Sequence, residues 1–462
     1  MRKLILAICL IMGLHASAIE VTVDENVEFV SAMCRLAGFE EYVYNLNKKY
    51  VAAIDSMMAP FKSHKAVARL NELRGAQGLS YDAVATFATH TAISDGHFTL
   101  RPGADVAKYE SRWHTGQDAE MARLMDDVYR RSGFHDFYVS QQPFYSKVVA
   151  NAKSMISNVD LKWLEDFFGG PIRGHIAVSL LNYGNYGTTL HCAGQPEESV
   201  VIIGCSNLDE AGVPVFHNLE SLIVHEFSHP TCNPIIDQHL QQFNGNAQLT
   251  AELMKEELQA RAYAGGGTVL RESMVRGVET QYALAHATTA GDSLAVEASI
   301  SGQVASGFLF FRELTNALTA YRENRSQYAT LAQFAPKIVE TVNNADVKQD
   351  YLDLRRNQIT IIGTSLPKDA RDVTASDRFE VKVYLDKPDA MGGFGMNYYN
   401  GNKDIMPDLT GVKMDKDRRI ISVFVKTEPG REYGFVIPGW VFRTKAGYPG
   451  LGNAVFHFFT AK

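Results

Sequence analysis

Positive charge is in deficit in this chain: 45 Lys and Arg stand against 52 Asp and Glu, a formal net charge of −7 over 462 residues. Nucleic-acid binding calls for a basic face or stripe, so that partner class is excluded. Long apolar runs are missing as well. Beyond the first 18 residues no segment reaches the ~20 apolar residues that cross a bilayer, so no membrane span is expected. Internal repeats and low-complexity tracts are absent. Cysteine is scarce, five in all. The 46% hydrophobic and 21% charged content is that of a globular chain with enough apolar side chains for a large core. At roughly 100–200 residues per domain, about two or three domains fit the length.

The first 18 residues, MRKLILAICLIMGLHASA, have the order of a secretory leader. Arg2 and Lys3 precede an apolar run from Leu4 to Leu14, and Ala16-Ser17-Ala18 is a small-x-small cleavage signal. A signal peptide cleaved after Ala18 is therefore expected, with export to the periplasm or beyond the cell. Cys9 lies inside the apolar run behind Ile8, too early for a lipid-attachment site. Cys34, Cys192, Cys205 and Cys232 remain, and an exported chain can oxidise them. Cys192 and Cys205 flank the turn-like GQPEES; two strands joined there would bring them together, and buried thiols are the equal alternative.

Apolar residues recur three and four apart from about Val27 to Ala92, which predicts helices. Asp95-Gly96 punctuates a short hairpin around HFTL. Helices follow over about Glu120–Arg131 and Phe144–Phe168. HIAVSLLNYGNYGTTLHCAG and SVVIIGCSNL then read as strands. Asn218–His229, Ala247–Ala264 and Thr268–Ala290 read as helices, with Gly265-Gly266-Gly267 separating the last two. From Ile359 short strands alternate with Gly, Pro and Asp, the pattern of a β-sandwich.

The chemistry is carried by His225-Glu226-Phe227-Ser228-His229. Two histidines four apart on a helix project from one face, so both imidazoles can hold one zinc ion. The intervening glutamate can take a proton from water attacking a carbonyl. Leu222, Ile223 and Phe227 supply the buried face. Pro230 follows directly; it removes a helical hydrogen bond, so the helix is expected to kink or end there. Catalytic zinc takes three protein ligands and keeps a fourth position open. The short third-ligand spacing of metzincins is absent, since Cys232 and Ile235 stand at those positions. A glutamate on a later helix is the alternative. Glu272 opens such a helix, with Arg276 one turn on to orient it or to form a solvated pair with it. Glu279, Glu256 and Glu257 remain open. Tyr282 or His286 could stabilise an oxyanion, though aromatic packing suits Tyr282 better. His175, His191, His239 and Arg261 read as ordinary surface or core residues. NYGNYGTTLH is either a plain sheet edge or a strand that pairs with an extended substrate.

These stretches resemble the gluzincin branch of zinc peptidases and, more narrowly, the secreted bacterial domain-of-unknown-function family 4932. LAGFEEYVYNLNKKYVAAIDSMMAPFKSHKAV, NYGNYGTTLH, HEFSHPTCNP and ESMVRG carry the likeness over about residues 25–290. The resemblance implies that His225, His229 and Glu272 bind zinc and that Glu226 is the base. From Ile359 on the chain resembles bacterial Ig-like modules, which specify no function.

The expectation is thus an α+β chain: a signal peptide over 1–18, a mostly helical zincin-like metallopeptidase domain with a small mixed sheet over 19–356, and an all-β Ig-like sandwich over 357–462. It would act as a monomer, with one zinc ion, on a peptide or protein substrate. The rival expectation is a zinc-binding protein that recognises peptides or glycans without cutting them; a third is hydrolysis of a non-peptide amide.

Overall fold

The amino-terminal apolar period resolves into separate helices, Glu25–Ala37, Lys48–Met58, Lys65–Gln77 and Asp82–Thr89. The structure is a computed structural model that describes residues 19–43, 46–390 and 393–462; the leader expected at 1–18 lies outside the described residues. The described chain mixes helices and several small sheets, with a strand-rich carboxy-terminal region. It forms two compact units that divide between Pro234 and Ile235.

In the first unit, strand β1 (Glu20–Thr22) precedes the helices. Gly38 ends the first helix in the left-handed region, φ 86°, where its N–H caps Arg35. The helical pattern that extends to Ala92 stops at Thr89, because β-branched Thr91 and Ile93 enter the hairpin of β2 (Thr91–Ser94) and β3 (His97–Leu100). Asp95 and Gly96 take positive φ at its two-residue turn. Phe29, fully buried on the first helix, anchors the core. Phe98, Tyr129 and Phe134 meet it edge-on at centroid distances of 5.2, 5.1 and 5.1 Å. The helix expected over Phe144–Phe168 is two, Gln142–Ile156 and Leu161–Phe168. Asp160 restarts it by accepting from the Trp163 N–H.

A four-stranded sheet carries the rest of this unit. Strands β4 (Gly174–Ser179), β5 (Tyr186–Leu190) and β6 (Glu198–Gly204) join β1 in the order β1-β4-β6-β5. Pairing is parallel except for β5, which lies antiparallel on β6 at the edge. His175 bridges the first three strands, its Nδ1 2.9 Å from Glu198 and its Nε2 3.3 Å from Asp24 beside β1. The register pairs Leu190 with Glu198 and Tyr186 with Ile202. Cys192 and Cys205 therefore sit past opposite ends of this hairpin, about 30 Å apart at ~3.4 Å per residue, and the turn between the strands cannot join them. All four described cysteines are free thiols, and Cys205 Sγ lies 3.5 Å from the Ser179 carbonyl. The short strands β7 (Asn207–Leu208) and β8 (Pro214–Val215) lead into the histidine helix, Glu220–His239.

In the second unit, helices run from Asn246 to Asn357. Gly265-Gly266-Gly267 is not a linker: it forms the first turn of the helix Gly265–His286. Strands then follow in two four-stranded sheets. β9 (Ile361–Thr364), β11 (Phe379–Leu385), β13 (Asp408–Met414) and β14 (Ile420–Lys426) form one, in the order β13-β14-β11-β9. β10 (Ala370–Val373), β12 (Asn397–Tyr398), β15 (Glu432–Pro438) and β16 (Asn453–Thr460) form the other, in the order β10-β16-β15-β12. Alternate residues, Ile421, Val423 and Val425 on β14 and Phe456 and Phe458 on β16, point into one shared apolar core.

Candidate metal centre

The sequence around the two histidines gives the helix Glu220–His239 one buried and one accessible side. Ile223, Val224, Phe227 and Ser228 are buried, whereas Leu222, His225, Glu226, His229 and Asn233 are half-buried. The Ser228 hydroxyl turns back to the Val224 carbonyl at 2.6 Å, which removes its polarity from the packed face. Phe227 lies against Gly174 of β4, where a Cβ would collide with its ring. The helix does not end at Pro230; it runs on through Pro230 and Pro234 to His239. One reason is local: Ser199 donates its hydroxyl to the Glu226 carbonyl at 2.9 Å, the group that loses its helical partner to proline.

The rings of His225 and His229 meet at 78° with centroids 5.0 Å apart. His229 Nδ1 stands 3.4 Å from Asn233 Oδ1. That acceptor favours the tautomer with hydrogen on Nδ1 and leaves Nε2 to offer a lone pair. Glu226 Oε2 is 3.9 Å from this Nε2.

His225, His229 and Glu272 each offer a ligand atom, and these atoms lie within 4.8 Å of one another. They are the one such set of three among the described residues. Donors held ~2.0–2.1 Å from a tetrahedral zinc are about 3.3 Å apart, so small side-chain shifts would close the set on one ion. Two imidazoles and a carboxylate are also the donor types of open zinc sites.

Glu272 is buried on the helix Gly265–His286. Arg276 Nη2 lies 3.4 Å from Glu272 Oε2 and 2.9 Å from the Tyr263 hydroxyl, while its Nη1 reaches Gln303 at 3.3 Å. The guanidinium also stands 5.1 Å from the Phe308 ring centroid. The pair is thus enclosed, with side chains 18% and 12% exposed, and is not a solvated surface bridge. Burial, then the charge of Glu272, pushes the Tyr263 hydroxyl's pKa up.

The other candidates are elsewhere. Glu257 pairs with Arg355 at 2.7 Å, Glu256 is exposed, and Glu279 is half-buried outside the set of three. Tyr282 is buried and stacked on His286, centroids 4.1 Å apart. It stands ten residues beyond Glu272, about 15 Å along the helix, so packing accounts for it.

A cavity of about 290 Å³ in the first unit contains Glu226, His229 and Asn233. The rest of its lining is Gly187, Thr188 and Thr189 of β5 and His191 just past it, with Asp82, Tyr109 and Glu110. His191 is stacked on Tyr109 at 3.5 Å, and burial lowers its pKa despite the Glu197 carboxylate nearby. Reading His191 as an ordinary residue missed this placement. The signal was the strand period of two, which puts Gly187, Thr189 and His191 on one side. A larger cavity, about 610 Å³, is lined by Arg101, Arg173 and Cys192 and contains none of the three metal candidates.

A family profile described as a domain of unknown function (DUF4932) matches residues 19–341. No curated protein matches the chain in sequence. Among solved structures, the S-layer protein rSbsC(31-844) is 12% identical, with a TM-score of 0.17, over 51% of this chain and 33% of that one. The N-terminal part of the bacterial S-layer protein SbsC is 14% identical, also at 0.17, over 54% and 60%. This chain spans less than two thirds of either, and likeness at that level carries no argument about fold or activity.

Proposed function

We propose, for a chain that belongs to the DUF4932 family, a secreted zinc metallopeptidase of the gluzincin type, with a zincin-like catalytic region and an Ig-like module behind it. The observation that carries the reading is the approach of Glu272 to within 4.8 Å of the ligand atoms of His225 and His229 on an HExxH helix. The leader at residues 1–18 supports export. Zinc bound by the three side chains would supply a Lewis acid for the scissile carbonyl and for the attacking water. Glu226, beside His229 and facing the cavity, accepts the water proton and returns it to the leaving amine. Asn233 orients His229, and Arg276 orients Glu272. The β5 strand, at the edge of its sheet and lining the cavity, suits an extended peptide.

The test is Glu226→Gln, which keeps size and hydrogen bonding but takes no proton. Zinc content should match wild type, while turnover of a fluorogenic peptide pool falls by about 10²–10⁴-fold. Chelator-sensitive turnover in wild type is the companion result. A fully zinc-loaded wild type that cuts nothing across a diverse library would instead favour the peptide- or glycan-binding reading. Zinc should be lost in His225→Ala and in His229→Ala, measured by elemental analysis; equal zinc in all three proteins would overturn the metal assignment.

A further inference from the structure

We infer that Ser199 and Gly187, on the two strands of the β5–β6 hairpin, are positioning residues for Glu226. Ser199 replaces the helix hydrogen bond that Pro230 deletes, and Gly187 leaves the space that the carboxylate fills.

The first half follows from helix geometry. The N–H of residue 230 would ordinarily bond the carbonyl of residue 226, four positions back. Proline has no N–H to give. A carbonyl in that position must find another donor or water. Ser199 is 1% exposed, and its hydroxyl donates to the Glu226 carbonyl at 2.9 Å. Ser199 is held there by the sheet, paired with Gly174 on β4 and Thr189 on β5. Gly174 in turn has no room for a Cβ, which would strike the Phe227 ring and the Ser199 carbonyl. The turn of helix that bears Glu226 is therefore seated on the first rungs of the sheet.

The second half concerns the other end of the residue. A Cβ on Gly187 would fall on the Glu226 carboxylate, at Oε2 and Cδ. Gly187 is in β5, paired with Val201, and its φ is not in the left-handed region. Its glycine identity answers to this space and not to backbone conformation. Backbone carbonyl and carboxylate of Glu226 are thus set by adjacent strands of one hairpin. The hydrogen-bond replacement stands by itself; its effect on catalysis rests on the peptidase reading above.

A double-mutant cycle on the full-length, zinc-loaded protein tests it. Pro230→Ala restores an N–H to the helix. Ser199→Ala should lower kcat about 10- to 100-fold in the Pro230 chain, with KM and zinc content near wild type. In the Pro230→Ala chain the same change should cost no more than about threefold. Ser199→Thr, which keeps the hydroxyl, should retain activity. An equal fold-loss in both backgrounds would overturn the replacement. The same cycle read as thermal unfolding midpoints needs no substrate: Ser199→Ala should lower the midpoint in the Pro230 chain and far less in the Pro230→Ala chain, and equal drops would overturn it. Gly187→Ala should lower kcat with zinc retained; wild-type kcat would remove Gly187 from the proposal. If wild type cuts no peptide, the peptidase reading falls, while the midpoint cycle still decides the role of Ser199.

Discussion

At the scale of single residues, burial and partners set the pH dependence. Glu28 is fully buried, receiving the Leu180 N–H at 2.7 Å and the Tyr50 hydroxyl at 2.8 Å. Burial outweighs those bonds and raises its pKa from 4.5 to about 7. Burial opposes the charge of His175 too, but hydrogen bonds to Asp24 and Glu198 win and raise it from 6.5 to about 9. Both folded values exceed the unfolded ones. Each contribution is therefore complete below the unfolded pKa and is lost as pH rises through the folded one. For Glu28 the span corresponds to about 3 kcal/mol, lost between about pH 4.5 and 7. Urea unfolding across that range should show a falling stability in wild type and a flatter limb in Glu28→Gln. His175→Gln should flatten the limb above about pH 7 instead. An unchanged slope in either variant would assign the titration to another group. Glu272→Ala should weaken zinc binding by at least the ~10–100-fold typical of lost ligand supports, and far more than Glu279→Ala. Competition with a chelator measures both, and a worse result for Glu279→Ala would move the third ligand.

At the scale of elements, local pattern was legible and local exceptions were not. The i, i+4 histidines marked a helix correctly, yet the proline beside them suggested a kink or an end, and the helix does not end there but runs on to His239. The compensating hydroxyl of Ser199 comes from a strand, and no helical pattern announces it. Likewise Gly265-Gly266-Gly267 reads as a separator between two helices because glycine weakens helices. In the folded chain Gly265 takes φ 75° at the helix start, and a Cβ on Gly266 would lie 2.8 Å from the Gln248 backbone nitrogen. The glycines admit a close crossing of this helix with Asn246–Leu253. Gly266→Ala should therefore destabilise by about 1–3 kcal/mol. Gly267→Ala, whose Cβ would meet only Arg271 at 3.5 Å, should be neutral or stabilise by up to ~1 kcal/mol. Denaturant midpoints of the two variants give the comparison, and equal losses would count against the close-crossing account.

At the scale of the whole molecule, the carboxy-terminal sheets have an apolar core of their own. A chain ending at Asn357 should fold and keep its zinc, at some cost in stability, because Gly447 packs on Ala298 of the helix Ala290–Ala305. Solubility, zinc content and melting midpoint of the shortened protein decide it; an insoluble or metal-free product would make the two regions one folding unit. The sequence by itself determined the helical and strand-rich regions, the HExxH helix and the family, because periods of 3.6 and 2 and an i, i+4 pair are properties of a few neighbouring residues. The family likeness pointed to Glu272 as the third ligand, and the tertiary structure brings its carboxylate near the two histidines, with Glu279, Glu256 and Glu257 outside that set. Tertiary structure alone brought His191 and Gly187 to the cavity that Glu226 lines and separated Cys192 from Cys205. Which faces meet depends on the register and packing of elements far apart in the chain, and residue spacing carries no record of that.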